Sequence, residues 1–400
     1  MSYVASRLAA IKPSASMAAS MAAKALAAKG FDVIDLGLGE PDFSTPTHII
    51  DAAHEAARRG ETRYTPANGT PQVRKAIIGK FLRENDLRAG DDEIALANGA
   101  KQIIFNALMA TLEPGEEVIL PAPYFVSYPE MVKLLGGVPV SVECGEGDGF
   151  RLTPEQLERA ITPRTKWLFL NLPNNPSGAS YDEAQLQALG EVVRKHPHVL
   201  ILSDEIYEHI LFDGRRFVSF AIACPDLRAR TLIVNGVSKA YSMTGWRVGY
   251  AVGPAPLIKA MNIVQSQSCS SICSIAQAAT VAALDGPQDH VAEFRAAFER
   301  RRDLVVEAVR GIDGLALAPP QGAFYAYINC AGAIGRTTPE GVRIDDDGAL
   351  VRHLLERAHV SCVPGAAYGL SPFFRISTAT GDDVLIEAMR RIGEAVSRLT

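Results

Sequence analysis

The chain has 400 residues, 48% of them hydrophobic and 21% charged, which is ordinary for a globular protein large enough for two domains. A net charge of −5 and an isoelectric point near 6.0 argue against a nucleic-acid backbone or an anionic bilayer as the main partner. No apolar run approaches the ~18 residues of a membrane span.

The six cysteines are scattered without a C-x-x-C and read as reduced thiols of a cytoplasmic protein. His196 and His198 stand too alone for a metal site, so no metal is expected. Residues 1–31 contain no acid and are rich in Ser and Ala, partly the look of a transit peptide. They carry a single arginine, Arg7, and are taken as part of the fold.

In chain order, a helix is predicted over 17–29, ended by Gly30, followed by an apolar run Val33–Leu36. The turn Gly37-Leu38-Gly39-Glu40-Pro41-Asp42-Phe43 lacks the third glycine of a dinucleotide fingerprint, and Pro41 blocks an immediate helix. Gly39 is a place where backbone can approach a ligand closely. Helices are predicted over Pro46–Arg59 and Pro71–Asn85, with Tyr64 in the loop between them. Strand Glu93–Ala97 then runs through Asn98-Gly99-Ala100-Lys101 into a helix over Gln102–Leu112. Such a turn is a ready anion site built from exposed N–H groups and the helix dipole.

Strand Glu117–Leu120 leads to Phe125, and helix 127–135, strand Val138–Val142 and helix 154–161 continue the alternation. Strand Lys166–Asn171 ends in Leu172-Pro173-Asn174-Asn175-Pro176, and strand Val199–Ser203 ends in Asp204-Glu205-Ile206-Tyr207. Both place polar groups beyond the carboxyl end of a strand, where open α/β sheets bind ligands. Strands Thr231–Asn235 and Arg247–Val252 flank the segment Gly236 to Gly249, which holds Ser238, Lys239 and Arg247. An amine in a tight, partly apolar segment has a lowered pKa and suits Schiff-base formation with a carbonyl. An arginine nearby can clamp a phosphate with paired donors. Helices over 255–265 and 274–284 precede a connector helix His290–Arg310. Phe324–Ile328, Gly348–Ala358, Val360–Val363, Phe373–Ser377 and Asp383–Arg398 form a smaller α+β unit, with Arg375 inside an apolar strand.

Ser238-Lys239 followed by Gly245-x-Arg247-x-Gly249, together with Asn175-Pro176 and Asp204-x-x-Tyr207, closely resembles the pyridoxal-phosphate site of class I aminotransferases. The resemblance runs from Lys12-Pro13-Ser14 to Arg375 and is nearest to the bacterial aspartate/prephenate branch. It implies an α/β fold of aspartate-aminotransferase type: a large cofactor-binding domain over 48–290 with a mostly parallel sheet, and a small discontinuous domain from 1–47 and 291–400. It implies ping-pong transamination through a Lys239 Schiff base with pyridoxal 5'-phosphate (PLP), in a homodimer with shared active sites.

By the same resemblance, Gly99, Ala100, Lys101, Ser238 and Arg247 hold the phosphate, and Tyr64 reaches the partner's phosphate. Phe125 stands where a tryptophan often stacks on the ring, and Asp204 pairs with the ring nitrogen. Asn175 and Tyr207 donate to the ring oxygen. Gly39, Asn175 and Arg375 bind the substrate, and Lys12 is the candidate for a distal carboxylate. Aspartate or glutamate is the expected amino donor, with prephenate or aromatic substrates as the alternative. Another PLP chemistry, such as a C–S lyase, ranks lower. A PLP-sensing regulator ranks last, since it is expected to need a DNA-binding segment before Lys12 or after Arg398.

Overall fold

The computed structural model describes residues 3–400. Among the described residues twelve strands occur in chain order: β1 Ile34–Asp35, β2 Ile94–Ala97, β3 Glu117–Ala122, β4 Val138–Glu143, β5 Thr165–Asn171, β6 Leu200–Asp204, β7 Thr231–Gly236, β8 Gly249–Val252, β9 Tyr325–Asn329, β10 Val360–Ser361, β11 Val363–Pro364 and β12 Phe373–Ser377. Seven of them form one sheet in the order β2-β8-β7-β6-β5-β3-β4. Only β8 runs against the rest.

The middle strands are near-continuous apolar runs because both faces are covered. In β5, Trp167 and Phe169 pack with Ile103, Ile104 and Met261 on one face, while Leu168 and Leu170 pack with Leu186 and Leu189 on the other. The period of two along the strand sends successive side chains to opposite layers. A second core joins Leu36, from the N-terminal part, to Val305, Phe374, Leu385 and Ile392 from the C-terminal third. It covers the three-stranded antiparallel sheet β11-β12-β9 and the parallel pair β1-β10. The fold is therefore the α/β architecture expected, with a large mostly parallel sheet and a small antiparallel one.

Several boundaries differ from expectation. The run Val360–Val363 is not one strand: Cys362 separates β10, which pairs with β1, from β11, which pairs with β12. The predicted helix over Gly348–Ala358 is α-helical over Asp347–His353 and π-helical over Leu354–Ala358. Strand β8 begins at Gly249 because Arg247 sits at φ 57°, in the left-handed region, where a strand cannot run. A helix over Glu183–Arg194, capped by the Asp182 carboxylate accepting from the Gln185 N–H, fills a stretch for which no helix is predicted above. Among the described residues no helix is long and apolar enough to cross a membrane.

Candidate active site

The carboxyl ends of β5, β6 and β7 open, together with the first turn of the helix Ala100–Thr111, into a cavity of about 420 Å³. Its lining includes Gly39, Ala100, Lys101, Phe125, Asn175 and Asp204, and also Tyr207, Ser238, Lys239, Arg247 and Arg375.

Lys239 follows β7 and extends its ammonium to the Gly39 carbonyl, donating at 2.6 Å. Burial, then the positive charges of Arg375 and Arg247, pull its pKa down to about 8, against the smaller pull of Glu40 and Asp204. Asp204 ends β6 and is 6% exposed. Burial pushes its carboxyl up to about 6, although the Tyr128 phenol donates to Oδ2 at 2.6 Å and the Ile206 N–H donates to Oδ1 at 3.3 Å. An acid raised and an amine lowered in one cavity is the arrangement of groups that handle protons near neutrality.

Arg375, on β12, is 2% exposed and has no carboxylate partner among the described residues. Its Nη1 donates to Asn175 Oδ1 at 3.0 Å, its Nη2 donates to the Gly37 carbonyl, and its Nε–H has no acceptor. The guanidinium lies 4.5 Å from the Tyr325 ring centre and 5.2 Å from that of Tyr368. A buried cation without a counter-ion is costly unless an anion arrives to meet it. Asn175 is fixed through its own N–H, which donates to Asn171 Oδ1 at 2.7 Å. The Tyr207 and Tyr325 hydroxyls share a hydrogen bond of 2.7 Å.

The expected anion turn forms with one correction. The helix starts at Ala100, two residues before the predicted start, so the N–H groups of Ala100 and Lys101 lie in its first turn and lack intrahelical acceptors. The Gly99 N–H instead donates to the Ala97 carbonyl at 2.7 Å. Gly99 contributes by conformation: it sits at φ 86°, and a Cβ there would lie 2.4 Å from Arg247 Nη2. Arg247 is tied to the turn through the carbonyls of Thr244 and Asn98, to which it donates at 2.8 and 3.2 Å. Burial, with Arg247 nearby, lowers the Lys101 pKa, so two cations share a place that favours an anion. The Lys101 ammonium also lies 5.2 Å from the centre of the Phe125 ring.

Besides Gly99, two expected site residues do not line the cavity. Tyr64 is 96% exposed and lines a separate recess with Arg63, Thr65 and Ser274. Lys12 is exposed, and its backbone N–H donates to Glu130 Oε2 at 2.8 Å; Ser14 and Ser16, just after it, do line the cavity. Conversely, the sequence reading missed Tyr128, Tyr325 and Asn171. Tyr128 and Tyr325 sit inside predicted elements where an aromatic reads as core, and only their hydroxyl partners mark them out. Elsewhere, Glu84, Glu208 and His209 cluster closely enough to ligate a metal. The fully buried Lys80 ammonium already supplies a cation there, donating to Glu208 and lying 3.6 Å from Glu84.

The sequence model of the aminotransferase class I and II family matches residues 32–392. The chain is 55% identical to an aspartate aminotransferase of Rhizobium meliloti strain 1021 over 396 residues, covering 99% of this chain and 97% of that protein. It is 54% identical to an aspartate/prephenate aminotransferase of Cereibacter sphaeroides over 392 residues, 98% of each. The crystal structure of the aspartate aminotransferase from Rhizobium meliloti superposes with a TM-score of 0.98 at 54% identity, covering 100% of both chains.

Proposed function

This chain belongs to the class I and II aminotransferases, and on that premise we propose that it exchanges an amino group between an acidic amino acid, aspartate or glutamate, and a 2-oxo acid, using PLP held in the cavity of Lys239. Members of the family typically use this cofactor. The carrying observation is the meeting of three groups in one cavity: the lowered amine of Lys239, the raised acid of Asp204 and the buried, unpaired Arg375. The residues fit the cofactor's charges. The free N–H groups of Ala100 and Lys101, with Ser238 and Arg247, would take its phosphate. Asp204 would meet its ring nitrogen, and Phe125 would cover the ring.

When bound, PLP supplies a carbonyl for amines and a ring that accepts the electron pair left on the substrate α-carbon. The remaining work falls to this chain's side chains. Arg375 grips the substrate α-carboxylate with its fork, and Asn175 holds that fork through Oδ1. With that oxygen engaged, the Asn175 Nδ2 is left to donate into the cavity, as is the Tyr207 phenol. Asp204, once ionised, stabilises positive charge on the ring nitrogen, and Tyr128 keeps its carboxylate oriented. Lys239, neutral in an appreciable fraction near its pKa of about 8, would take the proton from the substrate α-carbon and return it two atoms along, to the carbon that the cofactor's carbonyl supplies.

The likeness to an aspartate/prephenate aminotransferase supports prephenate as a second acceptor, itself a dicarboxylic acid. We also propose a large domain over 48–290 with a small one from 1–47 and 291–400, and a cytoplasmic homodimer in which Tyr64 serves the partner's phosphate. A substrate panel tests the reading. Aspartate without acceptor should release one equivalent of oxaloacetate per active site, and initial-rate plots against two substrates should be parallel. Release of ammonia, carbon dioxide or sulfide in place of amino transfer would overturn it.

A further inference from the structure

Tyr325 is 2% exposed and opens β9, where its register partner on β12 is Ser377. Arg375 is the diagonal neighbour on the same face, within reach of a large ring. Three parts of the site converge on this one side chain. Its hydroxyl is 2.7 Å from that of Tyr207, its ring carries the Arg375 guanidinium at 4.5 Å, and its oxygen abuts the backbone of Gly39. A Cβ on Gly39 would lie 2.0 Å from the Tyr325 oxygen, so only glycine fits there. The Gly39 carbonyl in turn accepts from Lys239.

Resting on the cofactor reading above, we propose that Tyr325 is a positioning residue that orients the Tyr207 proton into the cavity and braces Arg375, linking the phenol that tunes the cofactor to the cation that grips the substrate. Each phenol has one proton to give. Among the described residues the Tyr325 hydroxyl has no polar partner other than Tyr207. When Tyr207 donates into the cavity, Tyr325 is therefore the donor to the Tyr207 oxygen. An oxygen that receives a hydrogen bond gives its own proton more readily, because the chain of bonds polarises in one direction. Removing the Tyr325 hydroxyl weakens Tyr207 as a donor, so the ring oxygen it faces becomes more basic and better holds a positive charge at the adjacent lysine nitrogen. Burial holds both phenols protonated, so no ionisation of either is required.

The test is a pH titration of the visible absorbance of the holoenzyme. Tyr325→Phe should raise the apparent pKa of that band by about half a unit to one unit, the scale of one net hydrogen bond. It should lower kcat by roughly two- to tenfold on the same scale, yet leave KM for aspartate nearly unchanged, because the ring under Arg375 remains. Tyr325→Leu should raise KM as well, so that Phe rescues the KM defect of Leu but not the spectral shift. In a Tyr207→Phe background, Tyr325→Phe should no longer move the titration. A Tyr325→Phe enzyme that titrates like wild type, or an equal shift with and without the Tyr207 hydroxyl, overturns the proposal. A wild-type protein with no Lys239-dependent visible band would overturn the cofactor reading itself, a result distinct from either.

Discussion

The Tyr128 phenol donates to Asp204 Oδ2 at 2.6 Å, from the first residue of the helix Tyr128–Leu134 to the last residue of β6. The pairing holds the carboxylate in one orientation, while burial makes its charge expensive. The site thus stores an acid that is poorly satisfied until a cation meets it, the role proposed for the cofactor's ring nitrogen. Two measurements on the same residue follow from this.

In the cofactor-free protein, Asp204→Asn should stabilise the fold at neutral pH. Burial raises the carboxyl from 3.8 to about 6, so the folded state binds this proton more tightly than the unfolded chain. Stability is complete below about 4 and is lost as pH rises to about 6. The upper bound on that loss is about 3 kcal/mol. Asparagine has no proton to lose, so the variant's advantage over wild type, read from urea unfolding, should grow between pH 4 and pH 7.5. In the holoenzyme the same change should cost ~2.7–4 kcal/mol of transition-state stabilisation. A flat pH dependence with unchanged kcat would make Asp204 a structural cap.

Lys239→Ala should abolish turnover and the visible band of the lysine-bound cofactor, with an unchanged circular dichroism spectrum. The lysine lines an open cavity and makes one protein hydrogen bond, so its removal leaves no buried partner stranded except the Gly39 carbonyl. Transamination at a near wild-type rate would remove the central assignment.

Tyr64→Phe should weaken cofactor binding in the assembled protein without changing the single-chain fold, because the side chain is 96% exposed. Light scattering should give a dimer. A fully active monomer would contradict the two-chain site.

Lys12→Ala is expected to raise KM for aspartate, glutamate or prephenate, by no more than ~2–5 kcal/mol of lost charge pairing, and to spare monocarboxylic amino acids. The ammonium has no ion-pair partner among the described residues, and the chain enters the cavity two residues later at Ser14. Equal effects on both substrate types would show that Lys12 does not read a distal carboxylate.

Most of the cavity's side chains were legible without coordinates, because their identities travel in short local motifs. Ser238-Lys239 with Arg247, Asn175 before Pro176, and Asp204 with Tyr207 each sit at a strand end, and strand ends follow from apolar runs closed by turn residues. Boundaries were less secure where one residue changes the backbone. The left-handed Arg247 shortens β8, and Cys362 divides one apolar run between two sheets.

What the sequence alone determined is the fold class, the alternation of strands and helices, and the list of groups able to do the chemistry, since these depend on local patterning. Only the tertiary structure decided how those groups behave. Asn175 meets Arg375 across 200 residues of chain, and Lys239 meets Gly39 across another 200. The orphaned Arg375 Nε and the phenol pairs Tyr128–Asp204 and Tyr207–Tyr325 are likewise set by which surfaces pack together. Loss of water and choice of hydrogen-bond partner fix a pKa, and both are properties of the surroundings rather than of the residue.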